Sequence, residues 1–297
     1  MKKFDEFESR YLNPLTDFGF HKVFGTKELL IDFLNGIIRE ESLITNIQYL
    51  SPEQWGDLET DRKAIFDIFC TNEKGEYFVV EMQKAKQAYF RDRSIYYASL
   101  PIQKQAPRGI WDFRLKAVYF VAVLDFVLFD EFEEDSEQVI EYVQLVRERT
   151  KTLYSNKLKF AFVELPKFKK NEKELETRFD KWLFLLKNLY KLKNRPSSVH
   201  DKIFEKLFKM AEVKQLTEED METYRKSILE YHDVRLAVDC AREEARKEAR
   251  EEGIEVGIEK GKIFVIQKCL RKNMPIEDIS DLTGFSKEQI LKMKAEN

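Results

Sequence analysis

Between residues 17 and 38 the apolar side chains Phe20, Phe24, Leu29, Leu30, Phe33, Leu34 and Ile37 recur at mostly helical spacing, interrupted at Gly25 and Thr26. The pattern predicts two helical pieces, the second running from about residue 27 to 39. A short strand follows near residues 45–50. Two better strands cover 63–71 and 77–83, and the connector Asn72-Glu-Lys-Gly-Glu76 has the length and glycine of a hairpin loop. Residues 90–105 read as a helix with a mixed basic and aromatic face, and Pro107 and Gly109 then break the chain. Three further strands are expected at 116–128, 139–148 and 157–165, the last stopped by Pro166. Helix, strand pair, helix and more strands predict an α/β core built on a mixed sheet flanked by helices.

After residue 170 the pattern turns helical and rich in lysine. Leu175, Phe179, Trp182, Leu183, Leu186 and Tyr190 share one face of residues 172–193, and 201–210 and 218–238 continue in the same style. Thr217 with Asp220 resembles a capping box. From Ala241 the chain repeats every four residues, AREE, ARKE, AREE, GIEV, GIEK, so no single helical face stays apolar. Acids match bases there, which favours a solvated connecting helix over a nucleic-acid patch. Gly253, Gly257 and Gly261 fall on successive turns, where they permit close packing of a partner helix. Three short helices with a glycine turn before the last then resemble a small helix-turn-helix unit. The expected division is a core at 1–170, a helical extension at 171–240, and a tail at 241–297 that sets assembly as a homo-oligomer or places the target.

Composition narrows the function less than the pattern does. Across 297 residues, 51 basic and 54 acidic side chains leave a formal charge of −3, so attraction to nucleic acid must come from a local basic patch. Three scattered cysteines and three histidines argue against a zinc cluster or disulfide framework and suit a reducing cytoplasm. The first residues lack an apolar leader, and the most apolar run, 117–129, is too short to span a bilayer, so no membrane partner is expected.

The chemistry lies in the central strand pair. Asp67 sits in AIFDIFC and Glu81 in YFVVEMQ. A carboxylate in an apolar strand is costly unless paired, solvated or bound to metal. Strand alternation puts Glu81 and Gln83 on one face and Lys63 and Asp67 on one face of the preceding strand. In a hairpin Asp67 can lie beside Glu81, giving two hard oxygen ligands with open positions, which suits Mg2+ or Mn2+. The same spacing equally describes two solvent-face carboxylates of an edge hairpin with Lys63 as a salt-bridge partner. Spacing alone leaves both readings open.

The segments FDIFC and FVVEMQKA, separated by a glycine turn, resemble the Asp … Glu-x-Gln signature of the Rpn family. These are recombination-promoting nucleases, also described as transposases, with a PD-(D/E)XK, restriction-endonuclease-like fold. NPLTDFGFHKVFG with LLIDFLNGII, then RSIYYAS and FVELPKF, follow the family's order over residues 14–168. The resemblance implies that Asp67 and Glu81 hold Mg2+ or Mn2+ and that Gln83 completes the catalytic set of a DNA endonuclease. It links that activity to recombination, mobile elements or defence against foreign DNA. A lysine stands at the position of Gln83 in the wider fold. Glutamine can orient water through its carbonyl but cannot carry charge. Lys84 falls on the other face if the strand stays regular, leaving Lys63 and Lys86 better placed by parity. Asp17 and Lys22 are accessory candidates, with Asp17 equally a carboxylate favoured by the helix dipole. Arg91 and Arg93 are candidate phosphate contacts, with Tyr96 and Tyr97 as stacking partners or plain core. His21 reads as a helix-surface residue. The alternative is a nuclease-fold DNA-binding or assembly protein that has lost activity.

Overall fold

A computed structural model describes residues 8–38, 43–54, 64–106, 109–130 and 137–295. Its described residues fall into two compact units, 1–235 and 236–297. In the first, the two expected opening helices form as α1 (Asp17–Phe24) and α2 (Lys27–Ile37). Thr16 caps α1, its side chain accepting from the Gly19 N–H at 3.1 Å. Strands follow as β1 (Ile47–Tyr49), a small pair β2 (Glu53–Gln54) and β3 (Ala64–Ile65), β4 (Ile68–Asn72) and β5 (Tyr77–Gln83). The loop between β4 and β5 is built by Asn72, whose side-chain oxygen accepts from the N–H groups of Lys74 and Glu76. Gly75 supplies the φ of +74° that the turn needs.

Helix α3 (Phe90–Gln103) leads to β6 (Val118–Leu124), β7 (Ile140–Val146) and β8 (Leu153–Glu164). The six-stranded sheet has the order β1-β4-β5-β6-β8-β7. Its flanks are antiparallel, while β5, β6 and β8 run parallel through the centre. Every side chain of β6 is buried, which is what a strand covered on both faces requires.

Two cores cover those faces. Phe78, Val80, Met82, Val121 and Val163 point toward α1, α2 and the later helices α4 (Arg178–Asn188), α5 (Lys202–Met210) and the start of α6 (Glu218–Arg271). Trp182 is fully buried there against Phe24, Phe33 and Phe204, and its indole N–H donates to Asp32 at 2.7 Å. On the opposite face, Val79, Phe120, Ala122, Phe160 and Phe162 meet Phe90 and Ala98 of α3. The separate helices expected at 218–238 and from 241 onward are one helix, α6, because nothing between them breaks helical geometry.

In the second unit, Ile266 and Cys269 of α6 pack with Ile279 of α7 (Ile276–Thr283) and Ile290 of α8 (Lys287–Ala295). Gly284 closes α7 at a φ of +76°. Ser286 and Gln289 exchange the two bonds of a capping box. A side chain added at Gly253, Gly257 or Gly261 would meet nothing within 4 Å.

Gly19 gives the opening motif a testable consequence. A Cβ there would sit far inside van der Waals contact with the backbone oxygen of Asn13. Gly19→Ala should therefore destabilise the protein by about 2 kcal/mol or more through forced displacement. Helix propensity alone would stabilise it by ~1 kcal/mol. Urea unfolding decides the sign, and an unchanged or raised midpoint would refute the close approach.

Candidate active site

The register Ile68↔Val80 places Asp67, one step before β4, opposite Glu81 of β5. The continuous strand expected at 63–71 is instead interrupted between Ile65 and Ile68, and Asp67 occupies the interruption. Its main chain is thereby released from the ladder and turned to the carboxylates. The Asp67 N–H donates to Glu81 Oε1 at 3.2 Å, and the Met82 N–H donates to Asp67 Oδ2 at 2.7 Å. Each residue thus ties down the other's segment.

Glu81 is 3% exposed and sits on the α3 side of the sheet with Val79. Burial, then the neighbouring Asp67 carboxylate, pushes its pKa up to about 8, against relief from the Asp67 N–H, Arg93 and a side-chain bond from Gln83. Burial also raises Asp67, and Asp17 adds to the rise. The Met82 N–H, His21 and Lys84 oppose it. Two carboxylates withdrawn from water at one spot are short of positive charge. Each retains an oxygen outside the two main-chain bonds, so the pair offers the hard donors that a divalent cation takes. Among the described residues no third carboxylate, histidine or cysteine joins them as a ready-made metal cluster.

A cation approaches the pair from each side of the sheet, Arg93 from α3 and Lys84 from the end of β5. From the α3 side comes Arg93, whose guanidinium lies over the rings of Phe90 and Tyr97 and donates to Gln87 Oε1 at 2.5 Å. Its Nη2 is buried without a hydrogen-bond partner. On the α1 side, Lys84 pairs with Asp17 Oδ1 at 2.8 Å, and its side chain is only 13% exposed. His21, in the next turn of α1, donates its Nδ1–H to the Asp17 carbonyl at 2.8 Å and stays exposed. Parity had left Lys84 out. It does face away from Gln83, but that is the face on which α1 delivers Asp17. Lys84 thus takes the face that parity gives it, and its pairing with Asp17 was not foreseen in the sequence.

The remaining candidates lie elsewhere. Lys22 turns instead to Asp220 of α6 at 2.7 Å and lies over the Phe18 ring, so it is not brought to the carboxylates. A helical side chain one residue after His21 necessarily leaves the face that Asp17 and His21 share. Lys86 leans toward Asp130 at 3.8 Å. Arg91 donates to the Leu128 carbonyl at 3.2 Å and covers Phe129, in a shallow groove it shares with Lys86 and Tyr89. Lys63 lies outside the described residues.

The mixed six-stranded sheet flanked by helices is that of the nuclease-like α/β proteins. A family model described as PD-(D/E)XK nuclease family transposase matches residues 14–241, more than half of the chain, and the protein belongs to that family. No curated protein and no solved structure matches it. Among the described residues, no helix is long and apolar enough to cross a membrane.

The raised Glu81 pKa fixes a pH dependence. Folding takes up a proton at this group between its ordinary value of 4.5 and about 8. Stability of the metal-free protein therefore falls as pH rises through that window and levels off above it. Glu81→Gln should raise the melting temperature at pH 8.5 in chelator by about 4 °C or more, and change it little at pH 5. Equal melting of mutant and wild type at pH 8.5 would show that the two carboxylates do not strain one another.

Proposed function

We propose that this protein is a Mg2+- or Mn2+-dependent DNA endonuclease that hydrolyses phosphodiester bonds at Asp67 and Glu81. The observation that carries this reading is the pair of carboxylates set side by side at one end of the central strands, both with raised pKa values. Their oxygens would hold the cation. A bound divalent ion supplies Lewis-acid polarisation of the phosphate and acidifies a water molecule.

The chain's own residues account for the rest. Gln83 donates its amide N–H to Glu81, which leaves its carbonyl oxygen to accept a proton of the attacking water and aim it. Arg93 has an N–H without a hydrogen-bond partner, which a phosphate oxygen entering the site would satisfy. Lys84 and Asp17 keep positive charge fixed on the α1 side without closing the front of the site. Family membership supports a role in recombination, mobile elements or defence against foreign DNA, carried out in the cytoplasm. The tail from about Ala241 would assemble copies or place the target, apart from the chemical step.

A second reading has one observation in its favour. Residue 83 is an amide, so the face that holds Glu81 lacks a lysine two positions on. A DNA-binding or assembly protein that keeps the nuclease fold without activity would show metal affinity and no cleavage.

Cleavage of supercoiled plasmid in Mg2+ or Mn2+ tests the choice. Wild type should nick or linearise it, while Asp67→Ala and Glu81→Ala should abolish cleavage and remain folded. Full activity in both variants would sink the site assignment.

The amide makes a separate expectation. Gln83→Ala should slow cleavage more than about tenfold, and Gln83→Lys should retain or raise it. A folded but inactive lysine variant would mean that the site has been rebuilt around the amide.

A further inference from the structure

The sheet ends in an overhang. β6 begins at Val118, paired with Leu158 of β8, yet β8 starts five residues earlier at Leu153 and runs there beside β7 alone. The β7–β8 hairpin therefore projects past the rest of the sheet as a two-stranded ribbon. Residues from Val143 through Tyr154 are exposed without interruption. The tip is nonetheless built rather than loose. Arg147 and Thr152 are joined by a main-chain bond of 2.8 Å, the Lys151 N–H donates to the Arg147 carbonyl at 2.8 Å, and Lys151 takes a left-handed φ of 54°.

The ribbon's composition is one-sided. Arg147, Arg149, Lys151 and Lys157 stand on it against a single carboxylate, Glu148. Among the described residues none of these four cations takes part in an ion pair. Beside them Leu153 is 51% and Tyr154 75% exposed. Unpaired cations next to exposed apolar and aromatic groups suit a polyanion that also presents apolar edges.

We infer that the β7–β8 ribbon is a second DNA-contact element, one that grips duplex DNA at a distance from the cleavage site. A two-stranded ribbon fits the B-form major groove, about 12 Å wide, where thymine methyls offer apolar contact. The spacing agrees. β8 has 12 residues, and from Leu153 to Glu164, at the same strand end as Gln83, it extends about 36 Å at roughly 3.3 Å per residue. One turn of B-DNA is about 34–36 Å. A duplex lying along the strands would meet the carboxylates and the ribbon roughly one turn apart.

A second copy of the chain is the rival occupant, through edge-to-edge pairing of β7. Two features oppose it. The register shifts at Gln144, Leu145 and Val146 disrupt the edge that such pairing would use. A symmetric pair would also bring two sets of unpaired cations together. The inference rests on the nuclease reading only for the identity of the polyanion.

Fluorescence anisotropy on full-length protein with a labelled duplex of about 30 base pairs (three turns), in chelator, tests the ribbon apart from catalysis. The triple variant Arg147→Gln, Arg149→Gln, Lys151→Asn keeps the turn, because asparagine tolerates the left-handed position. It should bind more than tenfold more weakly at ~0.15 M salt, with the slope of log K against log salt shallower by about 2 to 3. Tyr154→Ser should weaken binding with the slope unchanged. Duplex RNA of equal length should compete poorly, since its major groove is too deep and narrow for the ribbon. Unchanged affinity and slope in the triple variant would overturn the inference, as would a wild-type protein that does not bind duplex DNA. So would a wild-type dimer that the same variant dissociates without loss of DNA affinity. Ribbon-dependent binding without plasmid cleavage would leave the ribbon standing and remove the nuclease reading instead.

Discussion

Two carboxylates removed from water at the same point are the constraint around which the first unit is arranged. An isolated buried carboxylate costs several kcal/mol unless donors or cations compensate it, and a second one beside it adds repulsion. Asp67 and Glu81 are kept there by reciprocal bonds between side chain and main chain. The bonds and the interruption of the strand at Asp67 go together, because the break frees the Asp67 N–H from the ladder. A regular strand would have used that donor for sheet pairing and left Glu81 without it.

Such an arrangement needs surroundings that cannot relax. Apolar cores on both faces of β5 and β6 supply them, and the edge itself is braced from the neighbouring strands. The Asp125 N–H, just past β6, donates to the Gln83 carbonyl at 2.9 Å, and its carboxylate accepts from Tyr231 and Arg235, each at 2.9 Å. Glu164, at the end of β8, accepts from the main chain of Leu128 and Phe129 and pairs with buried Lys167 at 2.6 Å. The segment after β6 is thus anchored at both ends. Parallel strands of an α/β sheet expose their carboxyl ends to ligand, and here that end is held by these bonds.

Much of this was legible as periodicity. The break at Gly25 and Thr26, the alternation of β5 and the wholly apolar β6 each correspond to one pattern and one element. What periodicity could not give was the state of a single residue. Asp67 lies in a run of strand formers, and its interruption comes from the bonds it makes with the opposite strand. Parity gave Lys84 its face but not its partner, because it tells which way a side chain points and not what waits there. Asp17 is 67 positions upstream, and only the fold of α1 against that face joins them. The reach of β8 was underestimated because its first residues, Leu153 to Lys157, show no apolar alternation, as befits a ribbon without a core. At residue 238 the reverse error occurred. A change in apolar pattern was read as a boundary, while the Ala, Arg and Glu that follow are strong helix formers and carry α6 straight on.

The distribution of charge explains how a chain with a formal charge of −3 can still attract a polyanion. At physiological salt a charge is felt over about 8 Å, so the molecular total matters less than what neighbours one another within that distance. Along α6 from Ala241, acids and bases alternate within a turn or two, and their fields cancel inside that radius. At the tip of the β7–β8 ribbon, Arg147, Arg149 and Lys151 lie within five residues of one another with one acid, Glu148, and none takes part in an ion pair among the described residues. Basic residues therefore sit in a charge-balanced helix in one place and in an unbalanced tip in another. What separates them is the period at which opposite charges recur along each element.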